Sequence, residues 1–216
     1  MKVFDANGRA SLTEEELQEI LDVLSGGGLV VYPTETLYGL GGDATNQTAV
    51  FRTFRAKQRP FDLPLSVAVS DMSMLRSIAL VDKTAEKLFE AFTPGPLSLL
   101  LPKKSAVPDV VTSSDDSIAI RVPDHPIALQ IIRKFGPIIS TSANRHGGGN
   151  PADIGMAMEQ LGGAVDIYID AGPTPIGKPS TIVQVSHGKV NVVRYGAIPM
   201  EKIMEVVDDL ERSRDA

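Results

Sequence analysis

Leu29-Val30-Val31-Tyr32 runs directly into Pro33-Thr34-Glu35-Thr36-Leu37-Tyr38-Gly39-Leu40-Gly41-Gly42-Asp43-Ala44. A short apolar run with β-branched members, closed by proline, reads as a strand buried on both faces. Such strands belong to α/β proteins, and the segment leaving the strand end is a common place for a ligand. Here that segment, Thr34 to Thr45, is expected as a polar loop whose hydroxyls can hydrogen-bond a small polar molecule. Its glycines permit close approach to the backbone. An ordinary solvated turn has the same composition, so the loop alone leaves both readings open.

Upstream, Thr13-Glu14-Glu15-Glu16 has the form of a capping box, and Leu17, Ile20, Leu21 and Leu24 follow at helical spacing. A helix over 13–25 is expected, ended by Gly26-Gly27-Gly28. Downstream, Val50, Phe51 and Phe54 share one face of a second helix that must finish before Pro60. Beyond it the pattern gives a strand at 65–69, helices near 71–78 and 82–92, and a break at Thr93-Pro94-Gly95-Pro96. Strands at 97–101 and 117–122, a helix near 125–135 and a short strand at 138–141 come next. A helix near 152–161, strands near 165–170, 180–186 and 189–194, and a helical tail at about 199–212 complete the chain. Interleaved strands and helices without a repeat or linker predict one α/β domain over 1–216, its core at about 12–200. We expect a twisted mixed sheet with flanking helices.

The composition, 43% hydrophobic and 22% charged, is that of a chain that folds and not of a disordered one. A formal net charge of -6 argues against a broad nucleic-acid surface held by counterion release, so any anion site must be local. The absence of cysteine excludes disulfides, thiolate metal sites and a cysteine nucleophile. Met1-Lys2-Val3-Phe4-Asp5 opens the chain with no apolar run behind it, and no stretch reaches membrane-span length, so a cytoplasmic location is expected. His125, His146 and His187 are scattered, which leaves no metal-ligand spacing, and no serine sits in a nucleophile elbow.

Two further segments carry candidate chemistry. In Lys57-Gln58-Arg59-Pro60 the helix is ending, and Pro60 biases Arg59 toward extended backbone. Lys57 and Arg59, both expected at a solvent-facing helix or strand end, then converge on one anion such as a triphosphate. A lysine in a last helical turn also suits the helix dipole with no ligand at all. Ser140-Thr141-Ser142-Ala143-Asn144, followed by Arg145-His146-Gly147-Gly148-Gly149-Asn150-Pro151, looks like a phosphate cradle, although it is neither a Walker loop nor a Rossmann turn. A flexible loop of turn formers is the plain alternative. Hydroxyls, amides and separated basic residues at strand ends suit catalysis by positioning and charge stabilisation.

Taken in order, Pro33 to Gly41, Lys57 to Pro60, Pro94-Gly95-Pro96, Ala119-Ile120-Arg121-Val122-Pro123, Ser142-Ala143-Asn144 and Pro179-Ser180-Thr181-Ile182 resemble the YrdC-like threonylcarbamoyl-adenylate synthases. The resemblance covers roughly residues 12–200 and matches the short, single-domain form of the family. It implies a twisted mixed sheet lined by helices around a concave, positively charged groove. It also implies an enzyme that combines L-threonine, bicarbonate and ATP, with magnesium on the phosphates, into threonylcarbamoyl-adenylate and pyrophosphate. A threonylcarbamoyl-transferring complex then modifies adenosine 37 of tRNA, and direct tRNA binding by this chain is expected to be weak or absent.

Carried over residue by residue, the resemblance makes Thr36, Arg121, Ser140 and Ser180 threonine contacts. Arg59, Ser117, Ser142, Asn150 and Arg194 become ATP contacts. Lys57 and Asn144 belong to the same motifs, Lys57 with Arg59 as a catalytic cation and Asn144 on the nucleotide side. Two positions depart from the pattern. Leu63 stands where many relatives are polar or charged, and Ala68 stands where some have a histidine touching threonine. A divergent nucleotide-binding regulatory subunit and an RNA-binding module without synthase activity are the alternative readings.

Overall fold

Thr13 starts the first helix as a capping box requires: its hydroxyl accepts from the Glu16 amide at 3.2 Å while the Glu16 carboxylate accepts from the Thr13 amide at 2.8 Å. The computed structural model describes residues 1–212; residues 213–216, the end of the expected 1–216 span, lie outside the described residues. In chain order the elements are β1 (Lys2–Asp5), α1 (Glu14–Ser25), β2 (Val30–Tyr32), β3 (Gly39–Gly41), α2 (Gln47–Lys57), β4 (Ser66–Ala68), α3 (Met72–Ile78), α4 (Lys83–Phe92) and β5 (Leu97–Pro102). They continue with β6 (Ser117–Arg121), α5 (Pro126–Phe135), β7 (Ile138–Ile139), β8 (Thr141–Ser142), α6 (Ile154–Leu161), β9 (Ile167–Asp170), β10 (Thr181–Ser186), β11 (Lys189–Arg194) and α7 (Met200–Arg212).

The strands divide into two mixed sheets, where the sequence reading anticipates one. The first has the order β1-β9-β2-β3-β8 and the second β11-β10-β5-β6-β4-β7. Alternation along the strands explains how helices cover them. Val30 and Tyr32 pack with Leu17 and Ile20 of α1 and Ile127 and Ile131 of α5, while Leu29 and Val31 face the opposite way onto Ala157 and Leu161 of α6. In the second sheet Leu97, Leu99 and Leu101 join a core that includes Leu75 of α3, Leu88 of α4 and Ile203 of α7. Ser98 and Leu100, one step out of phase, point to the other face, which floors a cavity.

The expected polar loop over 34–45 is corrected at its middle, where Gly39–Gly41 forms β3 between β2 and β8. Glycine is required there because a Cβ at Gly39 would lie 2.8 Å from Cζ of Tyr32 and one at Gly41 would lie 3.0 Å from its Cε1. The fully buried Tyr32 ring thus lies flat against β3, with its hydroxyl donating to Ser140 Oγ at 3.1 Å. The expected strand at 138–141 is split: β7 pairs with β4 in the second sheet and β8 with β3 in the first, with Ser140 between them.

Candidate functional site

Between the two sheets lies a cavity of about 530 Å³, within the range of small-molecule sites. Thr36, Ser140, Arg121 and Ser180 line it, and so do Arg59, Ser117, Ser142, Asn150 and Arg194. Both expected contact groups, from strand ends far apart in sequence, therefore meet on one hollow. Lys57 and Asn144 are not among the lining residues.

One wall of the cavity is built on the loop after β2. Thr34 folds that loop on itself, its hydroxyl donating to the Leu37 carbonyl at 2.6 Å and accepting from the amides of Thr36 and Leu37 at 3.2 and 3.3 Å. This turn carries Thr36 Oγ1 to Arg121, whose Nη1 donates to it at 2.9 Å. Nη2 of Arg121 is ion-paired with the Glu35 carboxylate, and the second oxygen of Glu35 accepts from the Asp124 amide at 3.0 Å. Arg121 and Glu35 are only 8% and 6% exposed, so each is held by the other in low dielectric. Nε of Arg121, buried in the same wall, finds no acceptor among the described residues.

Across the floor, Arg194 fixes Ser180. Its Nε and Nη2 donate to the Ser180 carbonyl at 3.1 and 2.8 Å, and Nη2 also reaches Ser180 Oγ at 3.0 Å. Ser98 Oγ lies 2.8 Å from the same Ser180 hydroxyl. Gly196 makes this approach possible, since a Cβ there would sit 2.4 Å from the backbone carbon of Ser180. The register shift between Ile182 and Val183 opposite β11 pairs Ile182 with Arg194 and Val183 with Val192, so Val193 is the extra residue of a bulge. Val193 and Arg194 both reach the cavity there.

Arg59 follows Gln58, which takes left-handed backbone (φ 50°) at the end of α2. The guanidinium donates from Nε to the Leu63 carbonyl at 3.1 Å and from Nη2 to the Pro64 carbonyl at 2.9 Å. Burial lowers the pKa of Arg59, and burial followed by the fields of Arg121 and Arg59 lowers that of Arg194. The three guanidiniums therefore share one electrostatic neighbourhood. Asp115 is the one carboxylate lining the cavity among the described residues, its Oδ1 accepting from the Ser117 amide at 2.9 Å. A protein with net charge -6 thus concentrates positive charge at one place.

Lys57 corrects the expectation of a solvent-facing cation. It is 2% exposed, and its ammonium donates to the carbonyls of Ser142 and Asn144 at 2.5 and 2.7 Å and to Asn144 Oδ1 at 3.2 Å. The left-handed turn at Gln58 separates its direction from that of Arg59: one side chain goes inward, the other to the cavity. Burial first, and the neighbouring Arg59 charge second, bring the Lys57 pKa down to about 7. Asn144, also buried, accepts from the Ser142 hydroxyl at 2.6 Å and donates to the Gly148 carbonyl at 3.0 Å. Leu63 contributes its carbonyl to Arg59, and Ala68 is wholly enclosed in the core, away from the lining.

The sequence reading gave no role to Glu35, Ser98, Tyr32 or Asp115. For Ser98 the available signal was a single hydroxyl inside the apolar run Leu97 to Leu101. For Glu35 it was a carboxylate set between two threonines in a loop for which ligand binding and an ordinary turn were both open.

The chain is similar to several known proteins. A sequence profile for Sua5, YciO and YrdC, described as telomere recombination, matches residues 22–196. A threonylcarbamoyl-AMP synthase of Pyrococcus abyssi is 37% identical over 206 residues, covering 94% of this chain and 61% of that protein. A putative threonylcarbamoyl-AMP synthase of Methanocaldococcus jannaschii is 36% identical over 196 residues, covering 89% of this chain and 93% of the relative. The crystal structure of P. abyssi Sua5 complexed with L-threonine superposes with a TM-score of 0.91 at 36% identity, covering 95% of this chain and 61% of that one. The chain thus spans less than two thirds of the Pyrococcus protein's length.

Proposed function

The chain belongs to the Sua5, YciO and YrdC family, and we propose on that premise that it makes L-threonylcarbamoyl-adenylate and pyrophosphate from L-threonine, bicarbonate and ATP. The supporting observation is the cavity itself. The Arg121 guanidinium, lining the hollow beside the hydroxyls of Thr36, Ser140 and Ser180, suits a hydroxylated amino acid carrying a carboxylate. Arg59, Ser117, Ser142, Asn150 and Arg194 share the same hollow and suit the phosphates of a nucleotide.

In the proposed reaction bicarbonate loses hydroxide to give carbon dioxide, and the neutral threonine amine adds to it; the proton leaving nitrogen joins that hydroxide as water, and the carbamate formed decays readily in water. A carbamate oxygen then attacks the α-phosphorus in line, the bond to the β-phosphate bridging oxygen breaks, and pyrophosphate leaves. The guanidiniums of Arg59 and Arg194 offset charge on the phosphate oxygens as that bond changes. Arg121 holds the threonine carboxylate so that its amine is aimed toward the nucleotide. The chemistry requires no covalent protein intermediate.

Magnesium belongs to this proposal as a counter-charge on the phosphates. Among the described residues no group of three metal-ligating side chains gathers, and Asp115 is the carboxylate available at the cavity. One carboxylate beside substrate phosphates is a usual setting for magnesium. The product is proposed to pass to a transferring complex that acts on tRNA, with little direct tRNA contact by this acidic chain. Among the described residues no helix is long and apolar enough to cross a membrane.

The direct test mixes the protein with magnesium ATP and measures pyrophosphate with and without threonine and bicarbonate, following the adenylate by mass spectrometry. Release that requires both additions is expected; release indifferent to threonine would sink the proposal. Ser180→Ala separates the two substrates. Two of the three bonds from Arg194 go to the Ser180 carbonyl, which alanine keeps. Threonine affinity is therefore expected to fall about tenfold, and ATP affinity to change by less than about threefold. Equal losses in calorimetry would contradict this division.

A further inference from the structure

The fold encloses Lys57 beside the cavity without letting it form the wall. An ammonium has three donors, and here all are engaged, by Ser142 O, Asn144 O and Asn144 Oδ1. None remains for a phosphate. Every acceptor belongs to the segment that carries Ser142 and, farther along, Asn150 to the cavity. The tie is reciprocal, because the His146 amide donates to the Lys57 carbonyl at 2.7 Å. Asn144 extends it by accepting from the Ser142 hydroxyl and donating to the Gly148 carbonyl. One cation at the end of α2 thus closes residues 142–148 on themselves and on the helix.

The charge is kept at a cost. Among the described residues no carboxylate is ion-paired with it, and Arg59 adds repulsion. A buried ammonium supported by carbonyls alone is a poor source of stability but a strong directional constraint on the backbone that surrounds it. We propose that Lys57 is a positioning residue that orders the 142–150 segment and so sets nucleotide affinity without touching the nucleotide. The inference rests on the nucleotide reading of the cavity given above.

Lys57→Met tests it, with amide hydrogen exchange in the ligand-free protein as the deciding measurement. Exchange over 142–150 is expected to speed up at least about tenfold while β2 and β5 stay protected, and magnesium ATP affinity to fall about 10- to 100-fold. Threonine affinity should move by less than about twofold. In Lys57→Ala, added n-propylammonium, which replaces the missing stem and head, should restore protection of the segment. Should Lys57→Met fail to fold, Asn144→Ala keeps the charge with its two backbone acceptors and is expected to raise exchange over the same residues about threefold. A folded Lys57→Met that loses ATP affinity with unchanged exchange would show direct phosphate contact and overturn the proposal. Unchanged exchange in a folded Asn144→Ala would overturn it as well. If the intact protein binds no ATP, the proposed function fails, while the exchange measurement still decides the lysine's structural role.

Discussion

Arg121→Ala is expected to abolish threonine-dependent pyrophosphate release and, separately, to lower the melting temperature by on the order of 10 °C. The two losses have different origins. Activity falls because the guanidinium, bonded to Thr36 on the cavity lining, is the cation to which the proposed function gives the threonine carboxylate. Stability falls because Glu35, 6% exposed, would keep only the Asp124 amide as partner. Removing one member of a buried pair costs about 3–5 kcal/mol, whereas replacing both by apolar or neutral groups is often close to neutral. The double variant Arg121→Met with Glu35→Gln should therefore recover most of the melting temperature and none of the turnover. Thermal melts and pyrophosphate assays on both variants check this, and a double variant that regained activity would remove Arg121 from the threonine site.

Arg59→Ala presents the opposite profile. Among the described residues its guanidinium bonds to carbonyls of its own turn, Leu63 and Pro64, and no buried carboxylate depends on it. Melting should shift by no more than about 2–4 °C, the effect of about 1 kcal/mol in a chain of this size. By contrast, kcat/KM should fall about 10²- to 10³-fold, the usual consequence of removing one preorganised donor from developing charge. Arg59→Lys should recover only part of this, since an ammonium cannot span two carbonyls and a phosphate from the same plane. Turnover of the alanine variant within about threefold of the parent would take Arg59 out of the reaction.

What could be read from sequence follows the range of the forces involved. The α1 boundary was legible because its cap is made by Thr13 and Glu16, three residues apart. The apolar strands β2, β5 and β6 were legible from composition. The existence of two sheets was not, because which strand lies beside which is decided by partners such as Lys2 and Ile167, far apart in the chain. β3 was hidden for another reason: Gly39-Leu40-Gly41 has little intrinsic strand preference and is held by its neighbours and by the Tyr32 ring beneath it.

At the site, the arginines and serines at strand ends were identified through the family resemblance, and the structure brings them to one cavity. The inward direction of Lys57 was not legible, since it depends on Gln58 adopting a left-handed conformation that glycine or asparagine adopts more readily. Nor was the Glu35–Arg121 pair, which needs the loop after β2 to close on the end of β6, 86 residues away.

Residues 138–142 are stitched into both sheets, and Ser140 sits where the stitching changes sides. The hollow is therefore bounded by a covalent seam, unlike a cleft between two hinged lobes. Moving its opposing walls apart would strain the strand pairs that β7 and β8 make on either side of Ser140. Selection at that seam then draws on a shape laid down when the chain folds.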